Sequence, residues 1–119
     1  MQKHRQLLAW QQCRDLAIAV YRVTAEFPPA ERFGLTSQLR RASVSAATNI
    51  AEGCARFGPR ERAHGLSVAL GSLAEVDTLL VIAEACGILT AERYAELEAQ
   101  RSLASQTTYR LQRSLRAAS

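Results

Sequence analysis

The stretch that decides the fold is residues 36–57, which read TSQLRRASVSAATNIAEGCARF. It predicts one helix with small side chains on its inner face and two adjacent arginines, Arg40 and Arg41, on its outer face. Small side chains, above all glycine, allow the backbone of a neighbouring helix to come close. The stretch therefore predicts a tightly packed helical bundle that also packs against copies of itself, and it has no pattern typical of a catalytic site.

The length and composition indicate one globular domain. The chain has 119 residues, which predicts a single domain over residues 1–119 with one hydrophobic core. Apolar residues make up 48% of the chain, and Leu and Ala together with Arg, Gln and Glu favour helix. The formal net charge of +4 reflects an excess of arginine and favours contact with a polyanion such as RNA, DNA or anionic lipid.

The cysteines and the N-terminus indicate the cellular compartment in which the protein is expected. Cys13, Cys54 and Cys86 lie far apart, and an odd count without a C-x-x-C pair argues against a disulfide framework and against a zinc site. We expect all three to be small buried residues in a reducing compartment. The N-terminus lacks a signal-peptide pattern, and no run approaches the about 20 apolar residues of a membrane span. These features predict a cytoplasmic protein without a membrane partner.

Apolar periodicity predicts four helices, and no strand pattern competes with it. Helix 1 is expected from about Gln6 to Glu26, because Pro28-Pro29 ends it. Helix 2 is expected from about Leu35 to Arg56. The apolar face of helix 1 contains Ala9, Cys13, Leu16, Val20, Val23 and Phe27. The inner face of helix 2 contains Leu35, Leu39, Ala42, Ala46, Asn49 and Gly53, with Gly53 at a close contact between helices.

The last two helices have clear start and stop signals. Helix 3 is expected from Pro59 to just before Gly87, and helix 4 starts after the N-cap Thr90 and runs nearly to the C-terminus. Helix 3 has a heptad seam of Leu66, Ala69, Leu73, Val76, Leu80 and Ala83. Beside that seam lie Val68, Leu79 and Ile82, which we expect to be partly exposed in a monomer. Four long helices with short loops predict an all-α, antiparallel up-down-up-down four-helix bundle.

Patterns for catalysis and for cofactors are weak. The Glu-x-x-His spacing of a metal-binding bundle occurs once, at Glu61 and His64, and a di-metal site needs it twice. Neither histidine is placed beside a nucleophile, and both glycine-rich nucleotide-binding motifs are absent. The sequence therefore predicts no enzyme activity, no catalytic residue, no metal and no cofactor.

Two polar residues stand out in helix 2. Asn49 falls on the inner face, so we expect its amide to form a hydrogen bond to another helix. Glu52 is expected to pair with an arginine. Both fit a structural polar contact that fixes the register of the helices, and both also fit a contact with a ligand or partner.

Arginines are the strongest candidates for function. Arg40 and Arg41 lie on helix 2, while Arg56, Arg60 and Arg62 flank the turn into helix 3. Arginine presents a planar fork that matches phosphate oxygens, so these five are the predicted nucleic-acid-binding residues. The alternative is a solvated face. A second group follows the last acidic residue and consists of Arg101, Arg110, Arg113 and Arg116. Tyr21 and Phe57 are the nearest aromatic side chains for base stacking.

Several motifs occur in an order that resembles a known family. They are Trp10-Gln11, Tyr21, Phe27-Pro28, GLTSQLRRA at 34–42, NIAEG at 49–53 and ALGSLAE at 69–75. The chain resembles the bacterial four helix bundle protein family, also called the 23S rRNA intervening-sequence protein family. The chain departs from many members at Ala46-Ala47, where they have Ile or Val and Pro, so we expect a more regular helix 2.

The resemblance implies an up-and-down bundle that forms homopentamers. Some members are encoded inside intervening sequences of 23S rRNA genes, and a distant relative is a nucleic-acid-binding accessory protein that works with a reverse transcriptase. Together with the arginines, this predicts a non-enzymatic homo-oligomer, most simply a pentamer, that binds structured RNA or another polyanion. The alternative is an oligomeric scaffold or protein interaction module without a nucleic-acid role.

Overall fold

Four long helices make up most of the chain in the computed structural model, which describes residues 3–56 and 58–118. They are α1 (Leu8–Thr24), α2 (Leu35–Ala55), α3 (Pro59–Ala85) and α4 (Ala91–Ala118). Short 3₁₀ segments at Lys3–Gln6 and Pro29–Glu31 precede α1 and α2, and the described ranges contain no strand. The predicted all-α class is confirmed, and the predicted ends of the helices differ from the observed ones by at most two residues.

Local chemistry explains where the helices begin and end. The Leu35 N–H at the start of α2 donates a hydrogen bond to the Glu31 Oε1 atom over 3.1 Å. The Arg93 N–H in α4 donates to the Thr90 Oγ1 atom over 3.2 Å, which confirms the predicted N-cap. After α3, Gly87 has a φ of 73°, the left-handed conformation that the predicted stop requires.

One core is shared by all four helices. In that core α1 packs against α2 and α4, and α3 packs against α2 and α4. All six residues of the predicted α3 seam are buried, as are the six on the predicted apolar face of α1. Beside the seam, Val68 is 38% exposed and Ile82 is 44% exposed, as expected. The expectation for Leu79 is wrong: it is only 7% exposed, because it packs with the core cluster.

The cysteines differ in burial more than expected. Cys13 is buried in the core, Cys54 is half-buried and Cys86 is exposed. The expectation of burial is therefore wrong for Cys86, which lies at the C-cap of α3, beside the buried seam and four residues after the exposed Ile82. All three are free thiols. Burial raises the pKa of Cys13 from 9.0 to about 11, and the polar side chain of Thr108 lowers it by a smaller amount.

Helix α3 is more apolar than expected. By length and composition alone it is long and apolar enough to cross a membrane, so the expectation that no such segment exists is wrong. The core helix of a soluble protein passes the same test, and α3 contributes eight buried residues here.

Candidate nucleic-acid interface

The turn between α2 and α3 is set by a close crossing of these two helices. A Cβ atom added to Gly53 would lie 3.3 Å from the Gly65 Cα atom, and one added to Gly65 would lie 2.6 Å from the Asn49 carbonyl oxygen. The prediction that Gly53 lies at a close helix contact is confirmed. The same hypothetical Gly53 Cβ lies 3.4 Å from the Arg62 Cα atom, so the crossing fixes the backbone that carries Arg62.

Three of the predicted arginines lie around this turn. Arg56 and Arg60 are exposed, and Arg62 is half-buried. The Arg56 Nη1 atom lies 3.9 Å from the Glu61 Oε2 atom, with the two side chains 66% and 48% exposed. An exposed pair at this distance contributes little, so the Arg56 guanidinium remains accessible to a ligand.

Arg40 and Arg41 point to different surroundings. Arg40 is half-buried; its Nε donates a hydrogen bond to the Thr24 Oγ1 atom over 2.9 Å, and its Nη2 donates to the Tyr21 carbonyl over 3.3 Å. Its guanidinium carbon also lies 4.5 Å from the centre of the Tyr21 ring. The expectation that both arginines lie on the outer face is therefore wrong for Arg40, which links α2 to α1. Arg41 is exposed and lines a cleft with Gln38, Ser45 and Glu75.

The five arginines do not form one patch. Arg41 lies on α2 and Arg56 is the C-cap of that helix, fifteen residues further along, which is about 22 Å along a helix axis. Phosphate contacts at the α2–α3 turn would therefore come from Arg56 and Arg60, because Arg62 lines a separate, largely apolar cavity, and Arg41 would add a contact of its own. Glu52 and Glu61 line the same cleft as Arg56, which lowers the net positive charge there.

The two polar residues of α2 behave differently from the prediction. Asn49 is half-buried, and its Nδ2 donates hydrogen bonds to the Ser45 carbonyl over 2.8 Å and to the Ser45 Oγ over 3.0 Å. The expected bond to another helix is wrong, because the Asn49 amide reaches back one turn along α2. Glu52 is exposed and forms no ion pair within the described ranges, so its expected arginine partner is also wrong.

Several interhelical polar contacts were missed at the level of sequence. The Ser72 Oγ on α3 donates to the Ser45 Oγ on α2 over 3.0 Å, so serine rather than Asn49 joins these helices. On α4, the Gln112 amide donates to the Ala63 carbonyl over 3.2 Å and to the Ser67 hydroxyl. Gly65 was missed as well. Gly65 follows Gly58 by seven residues and Gly53 precedes it by five, and this pair of glycines on either side of the turn was the signal that could have revealed the crossing.

Arg101 of the second arginine group forms ion pairs within the protein. It forms an ion pair with Glu98 and lies 3.8 Å from the Asp77 carboxylate on α3. Hydrogen bonding to Glu98 raises the pKa of Arg101, and burial opposes that rise. Arg110 and Arg113 are exposed on the same helix. The second group is therefore divided between packing and solvent.

Aromatic side chains offer little for base stacking. The Tyr21 ring is faced by the Arg40 guanidinium, and Phe57 lies outside the described residues. In the part of the chain that the structure describes, no three His, Cys, Asp or Glu side chains are grouped to hold a metal ion. Charge is thus the main chemistry that this surface presents.

Fold and surface together define an all-helical protein with accessible arginines beside a glycine crossing of two helices. Residues 5–118 match the family model described as 23S rRNA-intervening sequence protein. The chain belongs to this family, which confirms the resemblance in its motifs. No curated protein matches the chain.

Proposed function

We propose that the protein is a non-enzymatic homo-oligomer that binds structured RNA or another polyanion through its arginines. The observation that carries the proposal is the pair of exposed arginines Arg56 and Arg60 at the α2–α3 turn, where the ion pair of Arg56 with Glu61 is long and exposed. The family description refers to intervening sequences of 23S rRNA, so a structured RNA is the first polyanion to test.

The proposed topology is an antiparallel up-down-up-down bundle. Helix α4 has 28 residues, which is about 42 Å of helix, and the longest dimension of the molecule is 45 Å. Along α2 and α3 the residue numbers run in opposite directions, since Ser45 meets Ser72 and Gly53 meets Gly65. The same holds for α3 and α4, where Ser67 meets Gln112 and Asp77 meets Arg101. In this proposed topology the α2–α3 turn lies at one end of the bundle, where a long polyanion can reach it.

Binding by a single chain is expected to be weak. Glu52 and Glu61 offset part of the positive charge at the turn, and Arg40 is used in packing against α1. Several identical turns in one oligomer raise the effective concentration of each site for a long polyanion. Contacts to phosphate alone position the ligand without reading bases, so we expect recognition of shape and charge with little sequence preference.

A gel-shift titration with a structured RNA tests this function. We expect Arg56→Gln/Arg60→Gln to bind more weakly than the parent, with a salt dependence that is shallower by about 1.5 in slope, because each phosphate contact contributes about 0.7 to 0.9. Arg14→Gln/Arg22→Gln is the matched control: both arginines are exposed on α1, and the same charge is removed. Absence of binding by the parent at low salt, or equal losses in both variants, would contradict the proposal.

Self-association is proposed through the outer face of α3. Val68 and Ile82 are exposed there, about 40° apart around the helix, and exposed apolar surface commonly marks interfaces. The family resemblance favours a pentamer. Light scattering at micromolar concentration should give about five times the 13.1 kDa chain mass. A Val68→Glu/Ile82→Glu variant should remain helical and become monomeric. A parent protein that stays monomeric over the concentration range contradicts this part of the proposal.

The same α3 face supports the alternative function of an oligomeric scaffold without nucleic acid. The two functions differ in their response to salt, because counterion release weakens polyanion binding as salt rises and a hydrophobic oligomer is not weakened in this way. We further propose a cytoplasmic location, which the three free thiols support.

A further inference from the structure

A cavity of about 500 Å³ lies at the end of the protein that carries the α2–α3 turn. Each of the four helices, or the residue next to it, contributes an aliphatic side chain to the wall of this cavity. These are Leu7 just before α1, Ile50 on α2, Leu66 on α3, and Leu111 and Leu115 on α4. Ile50 and Leu66 are buried core residues, so the cavity continues the hydrophobic core outwards. Its volume lies in the range of about 300–1,000 Å³ that is typical of small-molecule sites.

The described wall of this cavity has one charged side chain, Arg62. Arg62 is half-buried, and no carboxylate lies within ion-pair distance of its guanidinium among residues 3–56 and 58–118. Burial raises the pKa of the neighbouring Cys54 thiol, and the positive charge of Arg62 lowers it, so the field of the guanidinium reaches the wall of the cavity. A half-buried cation without a counter-charge favours an anionic partner.

The close helix crossing holds this cation in place. The backbone of Arg62 packs against Gly53, where a Cβ atom would lie 3.4 Å from both its Cα and its carbonyl oxygen. The side chain therefore starts from a fixed point at the edge of the cavity. A fixed charge loses less entropy on binding than one carried by a mobile loop.

We propose that this cavity binds a medium-chain carboxylic acid, with its alkyl chain among the leucines and its carboxylate against Arg62. An apolar wall with one cation matches a ligand with one long apolar part and one negative head group. A sugar or a nucleotide needs several polar partners, and the described wall offers few besides Arg62. A neutral or cationic amphiphile leaves the Arg62 charge unmatched.

Calorimetric titration of the full chain with hexanoate, octanoate and decanoate, below their micelle concentrations, tests the proposal. We expect one ligand per chain and an affinity that rises about fourfold with each methylene until the cavity is full. Decanoate should bind about tenfold more tightly than decan-1-ol, because the alcohol lacks the charge that Arg62 recognises. No binding of decanoate, or equal affinity for acid and alcohol, would overturn the proposal.

Two variants separate the head-group contact from the chain contact. Arg62→Gln should remove the preference for decanoate over decan-1-ol, whereas the control Arg22→Gln, exposed in the last turn of α1, should keep it. Leu115→Trp should fill part of the cavity and weaken acid and alcohol equally. Retention of the acid preference in a folded Arg62→Gln protein, checked by circular dichroism, would exclude the assigned role of Arg62.

Discussion

Gly65→Ala tests the close crossing of α2 and α3 directly. The new methyl carbon would lie 2.6 Å from the Asn49 carbonyl oxygen and 3.0 Å from the Gly53 Cα atom. Close carbon-to-oxygen contacts in proteins are about 3.3 Å or longer, so the two helices must separate by about 0.7 Å. Both contacted atoms belong to the backbone, and a change of rotamer therefore cannot relieve the overlap.

The expected magnitude follows from two opposing effects. Overpacking a tight site costs about 1–3 kcal/mol, and a clash with backbone belongs at the upper end of that range. Alanine favours helix over glycine by about 1 kcal/mol, which offsets part of the loss. We therefore expect Gly65→Ala to lower the free energy of unfolding by about 2 kcal/mol. In a domain of this size the Tm falls by about 8 °C.

Gly71→Ala is the matched control on the same helix. A Cβ atom at Gly71 would meet nothing within 4 Å, so only the gain in helix propensity remains, and the Tm should rise by about 3 °C. Gly53→Ala, with contacts of 3.3–3.4 Å, should fall between the two. Thermal melts at one fixed protein concentration measure all three. A Gly65→Ala protein that melts at or above the parent temperature would refute the packing described here.

Three further predictions concern single side chains. Burial raises the pKa of Cys13 from 9.0 to about 11, so the stability that the buried neutral thiol contributes is present below pH 9 and is lost as the pH rises to 11. Chemical denaturation should therefore show the free energy of unfolding falling by about 2 kcal/mol over this pH range in the parent but not in Cys13→Ala. Equal pH dependence of the two proteins would contradict this prediction. Arg40→Met removes two hydrogen bonds to α1 and should lower the Tm by about 4–8 °C in a melt in which the control Arg22→Met stays near the parent. Asn49→Leu should lower the free energy of unfolding by less than about 1 kcal/mol in chemical denaturation, because the Ser45 carbonyl still accepts the hydrogen bond from the backbone N–H four residues further along α2. A loss above about 2 kcal/mol would contradict this account.

The helices could be predicted because their signals are local. Apolar residues at steps of three and four define each buried face, and Pro59, Gly87 and Thr90 act on the backbone within a few residues of the helix ends. The motif order then identified the family, which the match over residues 5–118 confirms. These signals do not depend on how one helix is rotated against the next.

Interhelical contacts could not be predicted in the same way, because they depend on helix rotation and register. Periodicity placed Asn49 on the inner face, but a rotation of part of a turn leaves it half-buried and bonded within α2. Arg40 and Arg41 are neighbours in sequence and about 100° apart around the helix, so one meets α1 and the other meets solvent. The cavity beside Arg62 was missed because its walls come from positions distant in the sequence.

The short α2–α3 connection also bears on how the chain folds. Gly53 and Gly65 are only twelve residues apart, and the entropy cost of closing a loop grows with the logarithm of its length. Helix α1, in contrast, meets α4 across most of the chain. We expect the α2–α3 hairpin to form early and the outer helices to dock onto it. In a stopped-flow chevron, Gly65→Ala should then slow refolding more than it speeds unfolding, and the opposite partition would place this contact late on the pathway.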